Sequence, residues 1–129
     1  MMPELTVFIV DDDLDDHEIF LMATKEISAG IHCVFAIDGV DALEKIHACT
    51  SFVPNFILVD INMPRMNGIK CLVELKKIPR LANVPVYMYS TSAAPAIVEE
   101  CKKLGAVNFI KKYIDINDLK QELLNIIYP

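Results

Sequence analysis

Five short apolar runs set the rhythm of this chain, and each is followed by a stretch in which apolar residues recur every three or four positions. The runs are Leu5 to Val10, Cys33 to Ile37, Phe56 to Val59, Val86 to Tyr89 and Val107 to Ile110. They are nearly unbroken by polar residues and rich in β-branched and aromatic ones, the character of strands covered on both faces. The intervening stripes have helical spacing: Ile19, Phe20, Ala23 and Ile27; Val40, Leu43 and Ile46; Ile69, Leu72 and Val73; Ala94, Ile97, Cys101 and Leu104; Ile116, Leu119, Leu123 and Ile126. Gly30 and Gly105 follow helical stretches as stop signals, and Pro54 and Pro85 stand just before strands. Such alternation predicts βαβ units closing a parallel sheet, with helices on both faces because the crossovers are right-handed.

Composition sharpens the picture. The 129 residues suit one domain, residues 1–129, and their 53% apolar and 23% charged content suits a globular fold. The chain closes directly after the fifth helical stripe, so no output domain is expected. A net charge of −6 with scattered Lys and Arg excludes a basic stripe for nucleic acid. No apolar run approaches the roughly 18 residues of a membrane span, and no secretory signal opens the chain, which points to the cytoplasm. Cys33, Cys49, Cys71 and Cys101 lack paired spacing and read as small core residues. His17, His32 and His47 show no ligand spacing and are assigned no chemistry.

The polar residues gather where strands end. The first strand runs into Asp11-Asp12-Asp13, the third into Asp60, the fourth into Ser90-Thr91-Ser92 and the fifth into Lys111-Lys112. In an open parallel sheet that edge is where ligands bind. Clustered carboxylates there need a counter-charge, and Mg²⁺, which accepts one or two carboxylates with waters and a phosphate oxygen, suits the set. Asp60 can then act as a nucleophile toward phosphorus, with a lysine and a serine hydroxyl available to phosphate oxygens. Acidic residues after a strand more often cap the next helix, and Asp13, Asp15 and Asp16 are read that way. Asp11 and Asp12 taken alone divide between capping and metal binding.

Phe8-Ile9-Val10-Asp11-Asp12 and the segment from Ile57 through Asp60-Ile61-Asn62-Met63-Pro64-Arg65-Met66-Asn67-Gly68 resemble the receiver domains of bacterial two-component response regulators, of the single-domain, chemotaxis-regulator-like kind. The resemblance covers nearly the whole chain. It implies a flavodoxin-like, doubly wound five-stranded α/β sheet of order 2-1-3-4-5. It implies that Asp60 is the phosphoacceptor, that Asp11, Asp12, Asp60 and the backbone carbonyl of Asn62 hold Mg²⁺, and that Ser90 and Lys112 meet the phosphate. Spacing from Gly105 and from Ser90 selects Lys112 over Lys111. Ser90 and Phe109 take the switch positions, and Asn62 and Ser92 flank the site. The implied donor is a histidine kinase or histidine phosphotransfer protein, and the implied readout is a downstream protein meeting a surface that includes Lys102, Lys103, Tyr113 and Lys120; a homodimer through the fourth and fifth helices stays open. Where the family usually has Pro after its lysine this chain has Tyr113, and a cis peptide without proline costs about 2.5–4 kcal/mol, so a trans Lys112-Tyr113 bond is expected.

Competing readings fit less well. A haloacid-dehalogenase-type phosphatase would use Asp11-Asp12-Asp13 as its D-x-D, yet Asp15 stands where that family has Thr or Val, and there is no room for a cap domain. An EF-hand loop fails at Asp16, where Gly is needed, and at Met22, where Glu is needed. A flavin phosphate would meet carboxylates where it needs hydroxyls and amides. A degenerate receiver that binds partners without phosphorylation is the remaining alternative.

Overall fold

The computed structural model describes residues 4–91, 93–112 and 115–128. Its elements are β1 (Leu5–Val10), α1 (Leu14–Ile27), β2 (Ile31–Ala36), α2 (Gly39–Ala48), β3 (Phe56–Asp60), α3 (Gly68–Lys76), a 3₁₀ turn (Pro79–Leu81), β4 (Val86–Ser90), α4 (Pro95–Lys103), β5 (Asn108–Lys111) and α5 (Ile116–Ile127). The strands pair in parallel in the order β2-β1-β3-β4-β5.

Alternation along the strands sorts the core into two layers. Val7, Ile9, Leu58 and Tyr89 face α1 and α5 and bury Phe20, Ala23, Leu119 and Leu123 with them. Phe8, Val10, Ile57, Val59 and Met88 face the other way, against Ala42, Ile46, Cys71, Leu72, Leu75 and Cys101 of α2, α3 and α4. Burying one such large apolar side chain is worth about 1.5–3 kcal/mol, so the sheet is held from both sides.

Polar caps set the helix starts. Asp13, Asp38, Asn67 and Asp115 each accept a backbone N–H of the turn that follows, whereas α4 begins with Pro95 and no side-chain cap. Gly105 ends α4 with φ of 113°, in the left-handed region that favours glycine.

Three expectations shift. The second strand begins at Ile31, because Ile31 and His32 pair with Leu5 and Thr6, and it stops before Ile37, which is 49% exposed. The fifth runs from Asn108 to Lys111, one residue later than the apolar run. Of the four cysteines, Cys71 and Cys101 are core residues, Cys33 is half-buried and Cys49 is exposed.

Candidate functional site

The strand order reverses between β1 and β3, and the cleft at the carboxyl edge there collects the acidic groups. Asp11 extends β1 by one rung, its N–H donating to the Ala36 carbonyl at 2.9 Å. Its side chain is fully buried; Oδ1 accepts the Asp13 N–H at 3.0 Å. Asp12, the next residue, is exposed. Asp60 ends β3 opposite Tyr89 of β4; its side chain keeps 8% exposure, and its Oδ1 accepts the Asn62 N–H at 3.3 Å. One oxygen from each of Asp11, Asp12 and Asp60 lies within 4.8 Å of the others.

Lys112 reaches this cluster from the end of β5. Its N–H donates to the Ser90 carbonyl at 2.8 Å, which continues the β4–β5 ladder and aims the side chain inward. Its Nζ lies 2.8 Å from Asp11 Oδ2, 2.8 Å from Asp16 Oδ2 and 3.1 Å from Asp60 Oδ2, with the Tyr89 ring centroid at 5.2 Å. The approaches to Asp16 and Asp60 are hydrogen bonds; that to Asp11 Oδ2 is a charge contact without hydrogen-bond geometry, and this buried oxygen has no hydrogen-bond partner among the described residues.

Burial dominates the electrostatics. It raises the Asp11 carboxyl to about 7, against the opposing pull of Lys112 and the Asp13 amide. It also raises Asp60, against Lys112 and the Asn62 amide. For Lys112 burial pulls the other way, yet the close contacts with the Asp11 and Asp16 carboxylates and the charge of Asp60 outweigh it, so the ammonium is held more firmly than an exposed lysine.

The loop after β3 is fixed at several points. A Cβ on Gly68 would fall 2.0 Å from the Asp60 carbonyl oxygen, so only glycine allows α3 to start so close to the strand, and the Gly68 N–H donates to the Ile61 carbonyl at 2.8 Å. Arg65, in the left-handed region at φ of 60°, donates from Nε and Nη2 to both oxygens of Asp38, at 2.6 and 3.0 Å. Asn62, two residues after Asp60, is exposed, and with Ile61, Asn67, Ala93, Ala94 and Ile97 it lines a cavity of about 310 Å³.

Against this geometry a model of the response regulator receiver domain matches residues 7–124. The chain belongs to the response regulator receiver domain family. It is 33% identical to the two-component response regulator ORR12 of rice over 118 residues, which are 91% of this chain and 93% of that one. It is 33% identical to the Regulator of RpoS of Escherichia coli over 119 residues, covering 90% of this chain and only 34% of that protein, so the receiver spans about a third of that relative's length. Among solved structures, the CheX-CheY-BeF3-Mg+2 complex of Borrelia burgdorferi superposes with a TM-score of 0.82 at 26% identity, over 98% of this chain and 92% of that one. The order β2-β1-β3-β4-β5 is that of the flavodoxin-like, CheY-type fold expected from the sequence.

The other receiver positions fall as follows. Ser90 is the last residue of β4 and is 3% exposed. Phe109 lies on β5, half-buried against the α2–α4 layer. Lys111, the alternative lysine, is exposed. Ser92 and Tyr113, and with them the geometry of the Lys112-Tyr113 bond, lie outside the described residues. Asp13 caps α1 as expected, but Asp16 does more than face the helix start: it is a direct partner of Lys112. Its position in the first turn of α1 gave no separate signal, because an acidic residue there reads equally as a partner of the helix start.

Proposed function

We propose that the chain is a phosphorylation-driven switch in which Asp60 accepts a phosphoryl group from a phosphohistidine donor. The observation that carries this reading is the convergence of one ammonium, Lys112, with the carboxylates of Asp11 and Asp60, while Asp12 lies within reach of both. An Asp60 oxygen attacks phosphorus, the P–N bond to the donor imidazole breaks, and that imidazole leaves with a proton. Lys112 balances the equatorial charge, and Ser90 offers its hydroxyl to a phosphate oxygen.

Receiver domains bind Mg²⁺ at an acidic pocket, and the residues here fit that role: a buried Asp11 oxygen with no hydrogen-bond partner among the described residues is the kind of atom a hard cation satisfies. Asp11, Asp12, Asp60 and the Asn62 carbonyl would hold the ion. When bound, Mg²⁺ supplies positive charge that offsets the carboxylates and the incoming phosphate.

In this reading the chain is a signalling domain that promotes only its own phosphorylation and dephosphorylation. The donor is a histidine kinase or histidine phosphotransfer protein in the cytoplasm. Phosphorylation draws Ser90 toward the phosphate and lets Phe109 turn inward, which alters the face formed by α4, β5 and α5 for a downstream protein or a second copy. Exposed Lys102 and Lys103 belong to that face; Lys120 is half-buried and pairs with Glu26 of α1 at 3.4 Å. Among the described residues no helix is long and apolar enough to cross a membrane.

The test is fluorine NMR with beryllium fluoride, which mimics an acyl-phosphate on a carboxylate. Bound resonances should appear with Mg²⁺ and disappear in Asp60→Asn. Their absence in the wild-type protein would favour the degenerate receiver, and turnover of a generic phosphate ester would favour the dehalogenase-type phosphatase.

A further inference from the structure

The histidine on α1 that the acid–base chemistry leaves unused is built into the acidic turn. The His17 ring Nε2 lies 2.6 Å from the backbone carbonyl oxygen of Asp11, and the residue is only 9% exposed. A carbonyl can only accept, so Nε2 carries the hydrogen and donates. The ring stacks on Phe35 of β2, with centroids 4.5 Å apart and planes 19° from parallel, which fixes its plane. The His17 backbone N–H meanwhile donates to the Asp13 carbonyl at 3.2 Å, so one residue grips both ends of the Asp11–Asp13 turn.

We infer that His17 is a positioning residue for the metal-holding carboxylates of Asp11 and Asp12, acting through the peptide that joins them. The inference rests on the receiver reading above. The Asp11 N–H is already tied to Ala36 of β2, so with the His17 bond the backbone on both sides of the Asp11 Cα is held, one side by the sheet and the other by α1. The carbonyl that His17 holds shares its peptide plane with the Asp12 N–H. Its orientation therefore sets where the Asp12 side chain departs. Asp12 is exposed and has no burial of its own to position it, so its approach to the cluster depends on this plane. Supports of metal ligands carry affinity in this way without touching the ion.

A histidine that merely fills core space predicts something different, and substitutions separate the two. His17→Phe keeps an aromatic ring to stack on Phe35 but removes the donor, whereas His17→Gln can still offer an N–H of similar reach. Mn²⁺ affinity, read by electron paramagnetic resonance of the free ion, should fall about five- to tenfold in His17→Phe. In His17→Gln most of that loss should be recovered, even if the metal-free melting temperature of the two variants is similar. Equal affinity in His17→Phe and wild type overturns the inference, and so does an equal loss in both variants. Should His17→Phe fail to fold, His17→Asn, too short to reach the carbonyl, takes its place with the same expected loss. Failure of wild-type protein to bind Mn²⁺, or unchanged binding in Asp60→Asn, would instead strike the receiver site itself.

Discussion

Lys112 approaches Asp16, at 2.8 Å, more closely than it approaches Asp60, at 3.1 Å. The lysine that the proposed reaction brings to an incoming phosphate is therefore shared with a carboxylate on α1 that stands outside the Asp11, Asp12 and Asp60 cluster. Turning toward the phosphate requires it to loosen that bond. Asp16→Asn should accordingly speed phosphorylation by a small donor by a few-fold, since hydrogen bonds to charged groups are worth about 1.5–3 kcal/mol before the neutral amide replaces part of the contact. Lys112→Ala should slow the same reaction by about 100-fold, the usual loss when a charge-stabilising donor is removed. Single-turnover rates with both variants check the pair, and a slower Asp16→Asn would mean that Asp16 orients the lysine and does not compete for it.

The raised carboxyl of Asp11 makes the metal-free protein sensitive to pH. Its folded value is about 7 and its ordinary value is 3.8, so between these the folded chain holds a proton that the unfolded chain has released. Stability from this group is fully present below about pH 4 and is lost as pH rises toward 7. Metal-free melting temperature should fall across that window on account of Asp11. Mg²⁺ should restore stability most at pH 8, where it meets no competing proton. In Asp11→Asn the downward slope should flatten and the Mg²⁺ effect should shrink, which thermal melts at matched ionic strength will show.

Arg65 and Asp38 predict a different balance. Asp38 is 3% exposed, caps α2 and is held below the usual carboxylate range, first by its hydrogen bonds from Arg65. A depressed carboxyl lends stability above its unfolded value that is lost as pH falls through the folded one. Asp38→Ala should cost about 1 kcal/mol from the lost cap alone. Arg65→Ala loses the ion pair but keeps the left-handed backbone, whereas Arg65→Gly also releases its strain, so glycine should be the milder change by about 1 kcal/mol. Urea melts at neutral pH measure both, and alanine proving milder would contradict the assignment.

How far the chain could be read in advance follows from which interactions are local. Buried parallel strands advertise themselves as apolar runs, and Asp60 through Gly68 is a contiguous segment whose glycine is required by a backbone contact within it. Pairings across the sequence leave no such trace. The early start of β2 comes from Ile31 and His32 meeting β1, and nothing in their own neighbourhood signals it. An acidic residue in the first turn of a helix is equally consistent with a cap, which hid the reach of Asp16 across to Lys112. His17 hid for a related reason, because a single histidine bonded to a backbone carbonyl has no spacing to display. Arg65 grips a residue 27 positions away through a backbone twist that is not glycine's, so its sequence context gave no hint.

Intact mass after incubation with a small phosphodonor and Mg²⁺ tests the phosphoacceptor role of Asp60 most directly. Wild-type protein should gain the mass of one phosphoryl group, and neither Asp60→Asn nor wild-type protein with the metal chelated should gain it. A wild-type mass that never changes, or a phosphate that persists in Asp60→Asn, would contradict it.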